Sequence, residues 1–476
     1  MPPRAEPDAC PGALRVHEAA DGGLARVRVP GGRLDARQVR ALAAAAELGD
    51  GGWELTSRAN LQVRGLAPHA VAEFAATLAD AGLLPSPTHE RVRNIIASPY
   101  TGCDDAGSLD VHAVATELDR RLCAAPALAE LPGRFLFTVD DGRGDVAGLA
   151  ADIGLAPADG SVAVLLSGAD EGIRVATADA ARAAVLAAEA FLAERRRQES
   201  ASWRLAELTD GPRLIAARVI AEPGPAEDGA PIADTGAESA DSTGSAPGTD
   251  GSAERAGTVP AAAGGSAERT ERPISASGAA ERAGSAPGVG EPAGGVGSSP
   301  ATTCHSGPGR PVEPVATHAD LGVLHRRDGR VSLALGAPLG RLNAEQVAAL
   351  AALDRPLRLT PWRTLLLPGI PEHDATTLLS EMDGAGFVVD TAAPLAGVTA
   401  CTGSPGCAKS LADVRSDAAR AARPGALPVH WAGCSRRCGR PAGRGVEVLA
   451  TEAGYEVGGE PAGELSAALE AARRAV

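Results

Sequence analysis

Four of the eight cysteines in this chain stand close together near its C-terminal end. Cys401 and Cys407 bracket CTGSPGC, and Cys434 and Cys438 bracket CSRRC. Two pairs on two loops can turn four thiolates toward one point, the ligand set that a cubane iron–sulfur cluster takes. Gly403, Pro405, Gly406, Gly433 and Gly439 keep the backbone open around them, so N–H groups can point at sulfur and offset a cluster's negative charge. Lys409, Arg436 and Arg437 add positive charge, which favours thiolate over thiol. The expectation is a [4Fe-4S] cluster on Cys401, Cys407, Cys434 and Cys438. A zinc knot, which usually takes tighter C-x2-C pairs, and unliganded thiols are the alternatives.

Regular elements have to hold such loops in place, and here they come as a repeat. GGRLDARQVRALAAAA, WELTSRANLQVRGL and APHAVAEFAATLADAGLLP in the first half match LGRLNAEQVAALAAL, LRLTPWRTLLLPGI and PEHDATTLLSEMDGAGFVVD in the second, in the same order. Each unit starts with a helix behind a capping box, Asp35 with Gln38 and Asn343 with Gln346. Leu34 and Leu342 stand where a hydrophobic staple begins. A short alternating strand carrying Leu55, Arg58, Gln62 and Arg64 follows, then a second helix with Val71, Phe74, Leu78 and Leu83 on one face. A repeat of this size predicts a pseudo-twofold αβ protein. A further αβ block follows each unit. In the first block, Val111, Val114, Leu118 and Leu122 suit an amphipathic helix. GRFLFTVDDGRGD reads as a strand running into a Gly-rich loop, SVAVLLSG and GIRVAT as strands, and 180–197 as a long helix. In the second block, GVEVLATEAGYEVGG reads as a hairpin after the cysteines and 463–474 as a closing helix.

Composition limits the function. The formal net charge of −15 opposes a general nucleic-acid binder, which needs excess Lys and Arg. No apolar run of membrane-spanning length occurs, and MPPRAEPDACPG lacks the apolar core of a secretory signal. A cytoplasmic location is therefore expected, where paired cysteines read as metal or redox sites before disulfides. From about 222 to 312 the text is Ala, Gly, Ser, Pro, Glu and Thr. It cannot bury enough apolar surface to offset its ordering entropy, so a disordered linker is expected there.

The C-x5-C and C-x3-C order behind a repeated αβ unit resembles the sulfite and nitrite reductase family. In that family the pattern holds a [4Fe-4S] cluster, and the last cysteine, here Cys438, also bridges to a sirohaem iron. The resemblance implies an α+β fold with ferredoxin-like half-domains over 10–90 and 316–391. Each is followed by a sulfite-reductase-like αβ block, over 91–215 and over 392–476, the second binding the cluster. LTSRANLQVRGL resembles the family's strand with an anion-binding arginine, here Arg58, with Asn60 and Gln62 beside it. RVRNIIASP resembles the segment with another, here Arg93 with Asn94. Arg134 stands for the first of two lysines that sulfite reductases place on the next strand. Leu136 falls at the second, which argues against sulfite as substrate. The second repeat departs too, with Pro361-Trp362-Arg363-Thr364 in place of Ser57-Arg58-Ala59-Asn60, so one working site is expected.

CPGALRVHEAADGGLARVRVPGGRL, RNIIASP and VDDGRGD are similar to the cobalamin-pathway branch of that family. This branch implies an iron–sulfur monooxygenase acting on precorrin-3A, a tetrapyrrole rimmed with carboxylates, with O2 and an external electron donor or reductase. Arginines pair with carboxylates bidentately, so Arg58, Arg93 and Arg134 fit that substrate or a sirohaem-like cofactor. Oxygen chemistry also calls for a second iron centre, mononuclear non-haem iron or sirohaem, whose ligands the sequence does not assign. His318-Ala319-Asp320 has the local form of a facial iron triad but stands at the linker's edge, where chance explains it. Asp140 and Asp141 read equally as turn residues and as a lining of the cofactor face. Cys103 and Cys123 read as ordinary small core residues, Cys304 as incidental, and Cys10 as a turn residue with a possible role.

Overall fold

The computed structural model describes residues 10–103, 107–222, 320–326, 328–441 and 444–474. The linker expected over 222–312 and the triad member His318 lie, apart from Glu222, outside the described residues.

Both capping boxes form. Asp35 and Asn343 accept from the backbone N–H of Gln38 (2.7 Å) and Gln346 (2.8 Å), and each glutamine returns a bond of 3.0 Å to the N–H of its cap. They start the helices Ala36–Glu47 and Ala344–Ala352. Each repeat builds a five-stranded antiparallel sheet with one strand borrowed from the other repeat. Arg341–Leu342 pairs with Trp53–Leu55, and Arg33–Leu34 pairs with Leu357–Leu359. Leu34 and Leu342, expected as staple residues, thus cross between the sheets. Both are fully buried in one core that both repeats share.

LTSRANLQVRGL is a hairpin and not one strand. Trp53–Leu55 and Leu61–Leu66 pair antiparallel, Glu54 opposite Gln62. The turn between them closes on the Thr56 hydroxyl, which accepts from the N–H groups of Arg58 (3.3 Å) and Asn60 (3.1 Å). Ala59 takes positive φ there. Arg58 therefore projects from a turn. The second repeat has the same turn on Thr360, with Arg363 at positive φ.

The two αβ blocks share one topology. In the first, Ile95–Ala97, Phe137–Val139 and Ile153–Ala158 run parallel, and Ser161–Leu166 and Ala169–Val175 complete the sheet antiparallel. In the second, Val398–Ala400, Val429–Ala432 and Val446–Thr451 run parallel, followed by Gly454–Val457 and Glu460–Pro461. The helix Val111–Ala124 buries Val111, Val114, Leu118 and Leu122, as its pattern requires, and Ala180–Arg197 packs beside it. Ile153–Ala158 and the helix Gly211–Ala221 escaped the sequence reading. Among the described residues no helix is long and apolar enough to cross a membrane.

Candidate metal centre and anion-binding face

Cys401 directly follows the strand Val398–Ala400, and Cys434 follows Val429–Ala432 after one glycine. These strands are parallel neighbours, so both loops leave the same edge of the sheet, where open α/β sheets place ligands. The loops are tied together. Cys401 N–H donates to the Trp431 carbonyl (2.9 Å), and Leu411 N–H to that of Gly433 (2.8 Å). Gly433 N–H donates to Cys401 Sγ at 3.2 Å. A side chain at Gly433 would collide with Ser410, so the close approach requires glycine.

The four thiols converge. Burial pushes the Cys438 thiol up, and Cys401, Cys434 and Cys407 push it further while Arg436 opposes them. Burial likewise raises Cys401. Raised thiols close to one another are what a metal centre relieves by binding thiolate. A tetrahedral zinc site at 2.3 Å from each sulfur needs sulfurs about 3.8 Å apart. Among the described residues, no three cysteine sulfurs lie within 4.8 Å of one another. A cluster of four irons holds its thiolates farther apart than a single ion does, so the donor set fits a cluster better than zinc. All four cysteines are free of disulfides.

His430 supports this site and escaped the sequence reading. Its Nε2 donates to the Cys438 carbonyl (3.1 Å), and Nδ1 accepts from the Thr399 hydroxyl (2.9 Å). Burial, with Arg363 adding, pushes it down to about 3, so the ring is neutral.

Arg58 lies on a second feature, a face crowded with cations. Burial lowers it to about 10, Arg204 lowers it next, and Arg26 adds to this. Cys10 opposes them, which places that thiol near the face. Among the described residues the Arg58 guanidinium makes no hydrogen bond or ion pair. Arg204 is held by Asp152 (2.7 Å), and Arg134, exposed, lies over the ring of neighbouring Trp203 at 5.2 Å. Arg204 and Trp203 were not singled out in the sequence. Their only signal there is an aromatic–arginine pair in a polar stretch.

The other expected residues have internal partners. Arg93 is 3% exposed. It forks onto Asp119 at 2.7 and 2.6 Å and donates to the Leu83 carbonyl at 2.9 Å. All three guanidinium nitrogens are thus engaged within the protein. Asn94 donates to the carbonyls of Gly133 (2.8 Å) and Phe135 (3.2 Å), and Asn60 accepts from Val29 N–H (2.9 Å). Asn60 also donates to the Asn94 side chain (3.4 Å), which ties the repeat to the block. Gln62 accepts from Arg26 (2.6 Å) and donates to Glu54 (3.1 Å).

The VDDGRGD loop brings Asp140, Asp141 and Asp145 within 4.8 Å of one another. Asp140 is spent on the loop itself, accepting from the N–H groups of Gly142, Gly144, Val146 and Ala147. Asp141 pairs with Arg143 at 2.9 Å and accepts from Thr101 at 2.6 Å. Burial pushes Asp145 up to about 7, with Asp140 and Asp141 adding to this and Ser98 opposing it.

The nitrite/sulfite reductase ferredoxin-like half domain matches residues 17–81 and again 325–385, the two repeats. The fold of this chain is that of the "Structure of Mycobacterium tuberculosis NirA protein", at 16% identity and a TM-score of 0.61, over 91% of this chain and 73% of that one. A precorrin-3B synthase from Sinorhizobium sp is 34% identical over 149 residues, 31% of this chain and 32% of that protein. The match thus spans about a third of that synthase. A ferredoxin–nitrite reductase from Synechococcus elongatus is 26% identical over 88% of this chain and 74% of its own length.

Proposed function

We propose that this protein is an iron–sulfur oxidoreductase of the precorrin-3B synthase type, hydroxylating precorrin-3A with O2 and closing its γ-lactone. The observation that carries the oxidoreductase half is the convergence of four thiols on the two loops that follow two parallel strands. Cys401, Cys407, Cys434 and Cys438 would hold the [4Fe-4S] cluster, which supplies one-electron transfer when bound. One oxygen atom enters the product and the other leaves as water, which requires two electrons from an external donor.

Arg58 supports a carboxylate-rimmed substrate. Among the described residues its guanidinium makes no hydrogen bond or ion pair, whereas all three nitrogens of Arg93 are engaged. A carboxylate can take the Arg58 fork, and the exposed Arg134 can take another. The position of the family's second lysine supports the oxidative reading. Leu136 is 3% exposed and packs with Ile96, Val146 and Ala151, so this site offers a small anion no charge there. A second iron centre and the cytoplasm as location belong to this reading. The alternative is a sirohaem-dependent sulfite or nitrite reductase, and the longer of the two matches favours nitrite.

Turnover decides between them. The reconstituted protein, supplied with O2 and a reductant, is expected to convert precorrin-3A to the lactone. Unchanged precorrin-3A, together with extractable sirohaem and reduction of nitrite, would overturn the proposal in favour of the alternative.

A further inference from the structure

Glu54 belongs to neither cysteine loop, yet the charges around those loops meet on it. It lies on the strand Trp53–Leu55 of the first repeat and is 8% exposed. One carboxylate oxygen accepts from Arg415 at 2.8 Å with Arg341 at 3.9 Å, and the other accepts from Gln62 at 3.1 Å with Arg64 at 3.9 Å. Glu54 also raises Arg363, opposing the burial that holds that arginine down at about 10.

Three of these arginines end on backbone carbonyls of the cysteine loops. Arg415 donates to the carbonyl of Cys401 itself (3.1 Å). Arg64 donates to that of Gly406, next to Cys407 (3.1 Å). Arg363 donates to that of Gly439, next to Cys438. Arg363 makes no ion pair among the described residues, and one of its buried nitrogens has no partner. Positive charge thus surrounds the four thiols, and Glu54 is the buried carboxylate that it shares. Asp21 holds Arg64 and Asp50 holds Arg341, each from a more exposed position.

We infer that Glu54 is a positioning residue that sets the reduction potential of the cluster. It aims Arg415 at the Cys401 carbonyl, and its charge limits the positive field of Arg64, Arg363 and Arg415. Adding an electron to a cluster adds negative charge, which a positive field stabilises and a negative one opposes. The inference rests on the proposed [4Fe-4S] centre. It also gives the first repeat a function beyond binding anions, because Arg26, Gln62, Glu54, Arg415 and Cys401 form one unbroken hydrogen-bonded path.

The test is a redox titration of the reconstituted full-length protein, followed by electron paramagnetic resonance, with iron and sulfide counted in each sample. Glu54→Gln is expected to favour the reduced cluster about tenfold, a rise of about 59 mV. Glu54→Asp keeps the charge and is expected to stay within half that shift. Arg415→Gln removes a cation and is expected to move the potential the other way, so the inference survives if Glu54→Gln fails to fold. Full clusters with unchanged potentials, or shifts of one sign in both glutamine variants, would overturn it. A wild-type protein that binds no cluster would instead sink the proposed function.

Discussion

The two αβ blocks are one scaffold with two fillings. Each runs three parallel strands into an antiparallel continuation, and each places its chemistry in the loops after the first and second strands. Each first loop ends on an aspartate that caps the next helix, Asp110 before Val111–Ala124 and Asp413 before Val414–Ala421. In the first block the loops are filled by the chain's own charges. Asp140 gathers four N–H groups, Asp141 holds Arg143, and Ser98 donates to Asp145. In the second block the same places carry four thiols, whose carbonyl neighbours are braced by arginines from elsewhere. The first loop pair turns most of its charge inward, although one buried Asp145 oxygen has no hydrogen-bond partner, and the second is arranged for something to bind. The strand topology is shared, so the loops and their side chains separate a structural loop pair from a candidate metal centre.

This contrast predicts where substitutions hurt. The largest effect on folding is expected at Asp140, because Asp140→Ala leaves four N–H groups without their acceptor. Each such group costs ~1–3 kcal/mol when buried, and water recovers part of it. A loss of at least ~3 kcal/mol in denaturant unfolding is expected. A loss below ~1 kcal/mol would mean that the first loop pair is not self-supporting.

Asp145 gives the next effect, and it depends on pH. Its folded-state pKa, about 7, lies above the ordinary aspartate value, so the folded protein keeps a proton that the unfolded chain has released. Stability from this group is full below the ordinary value and declines as pH rises toward 7. Asp145→Asn removes that decline. The variant is expected to gain on the wild type between pH 4 and pH 7, by ~3 kcal/mol, levelling off about one unit above. Parallel stability curves over that range would contradict the burial of a protonated carboxyl.

The smallest effect separates Arg58 from Arg93. Arg58→Gln removes a cation that makes no hydrogen bond or ion pair among the described residues, so the thermal midpoint is expected to hold or rise. Affinity for a carboxylate-bearing tetrapyrrole is expected to fall about tenfold, the worth of one charge-assisted hydrogen bond. Arg93→Gln is expected to do the reverse, lowering stability through Asp119 and leaving the affinity nearly intact. Identical profiles for the two would erase the distinction drawn between them.

Much of this was legible in the sequence where local chemistry decides structure. Asp35 with Gln38 and Asn343 with Gln346 announce helix starts because a capping box needs only neighbouring residues. The cysteine pairs announce their site because thiols are scarce elsewhere in the chain. Arg33–Leu34 and Arg341–Leu342 could not be read as exchanged strands, since a two-residue strand has no periodicity. Arg58 was misplaced on a strand because the Thr56 turn lies inside an otherwise alternating run. Arg93 and Arg58 look alike as text, and only Asp119, packed against one and not the other, separates them. Glu54, Arg415 and His430 act across long sequence distances, and nothing next to them in the sequence marks them.

The most direct test of the central claim is the absorption spectrum, with iron and sulfide analysis, of protein purified without air, alongside Cys434→Ser. The account predicts a broad iron–sulfur absorption and four irons with four sulfides per chain in the wild type, both lost in the variant. Zinc without iron, or an iron–sulfur spectrum that Cys434→Ser leaves intact, would contradict it.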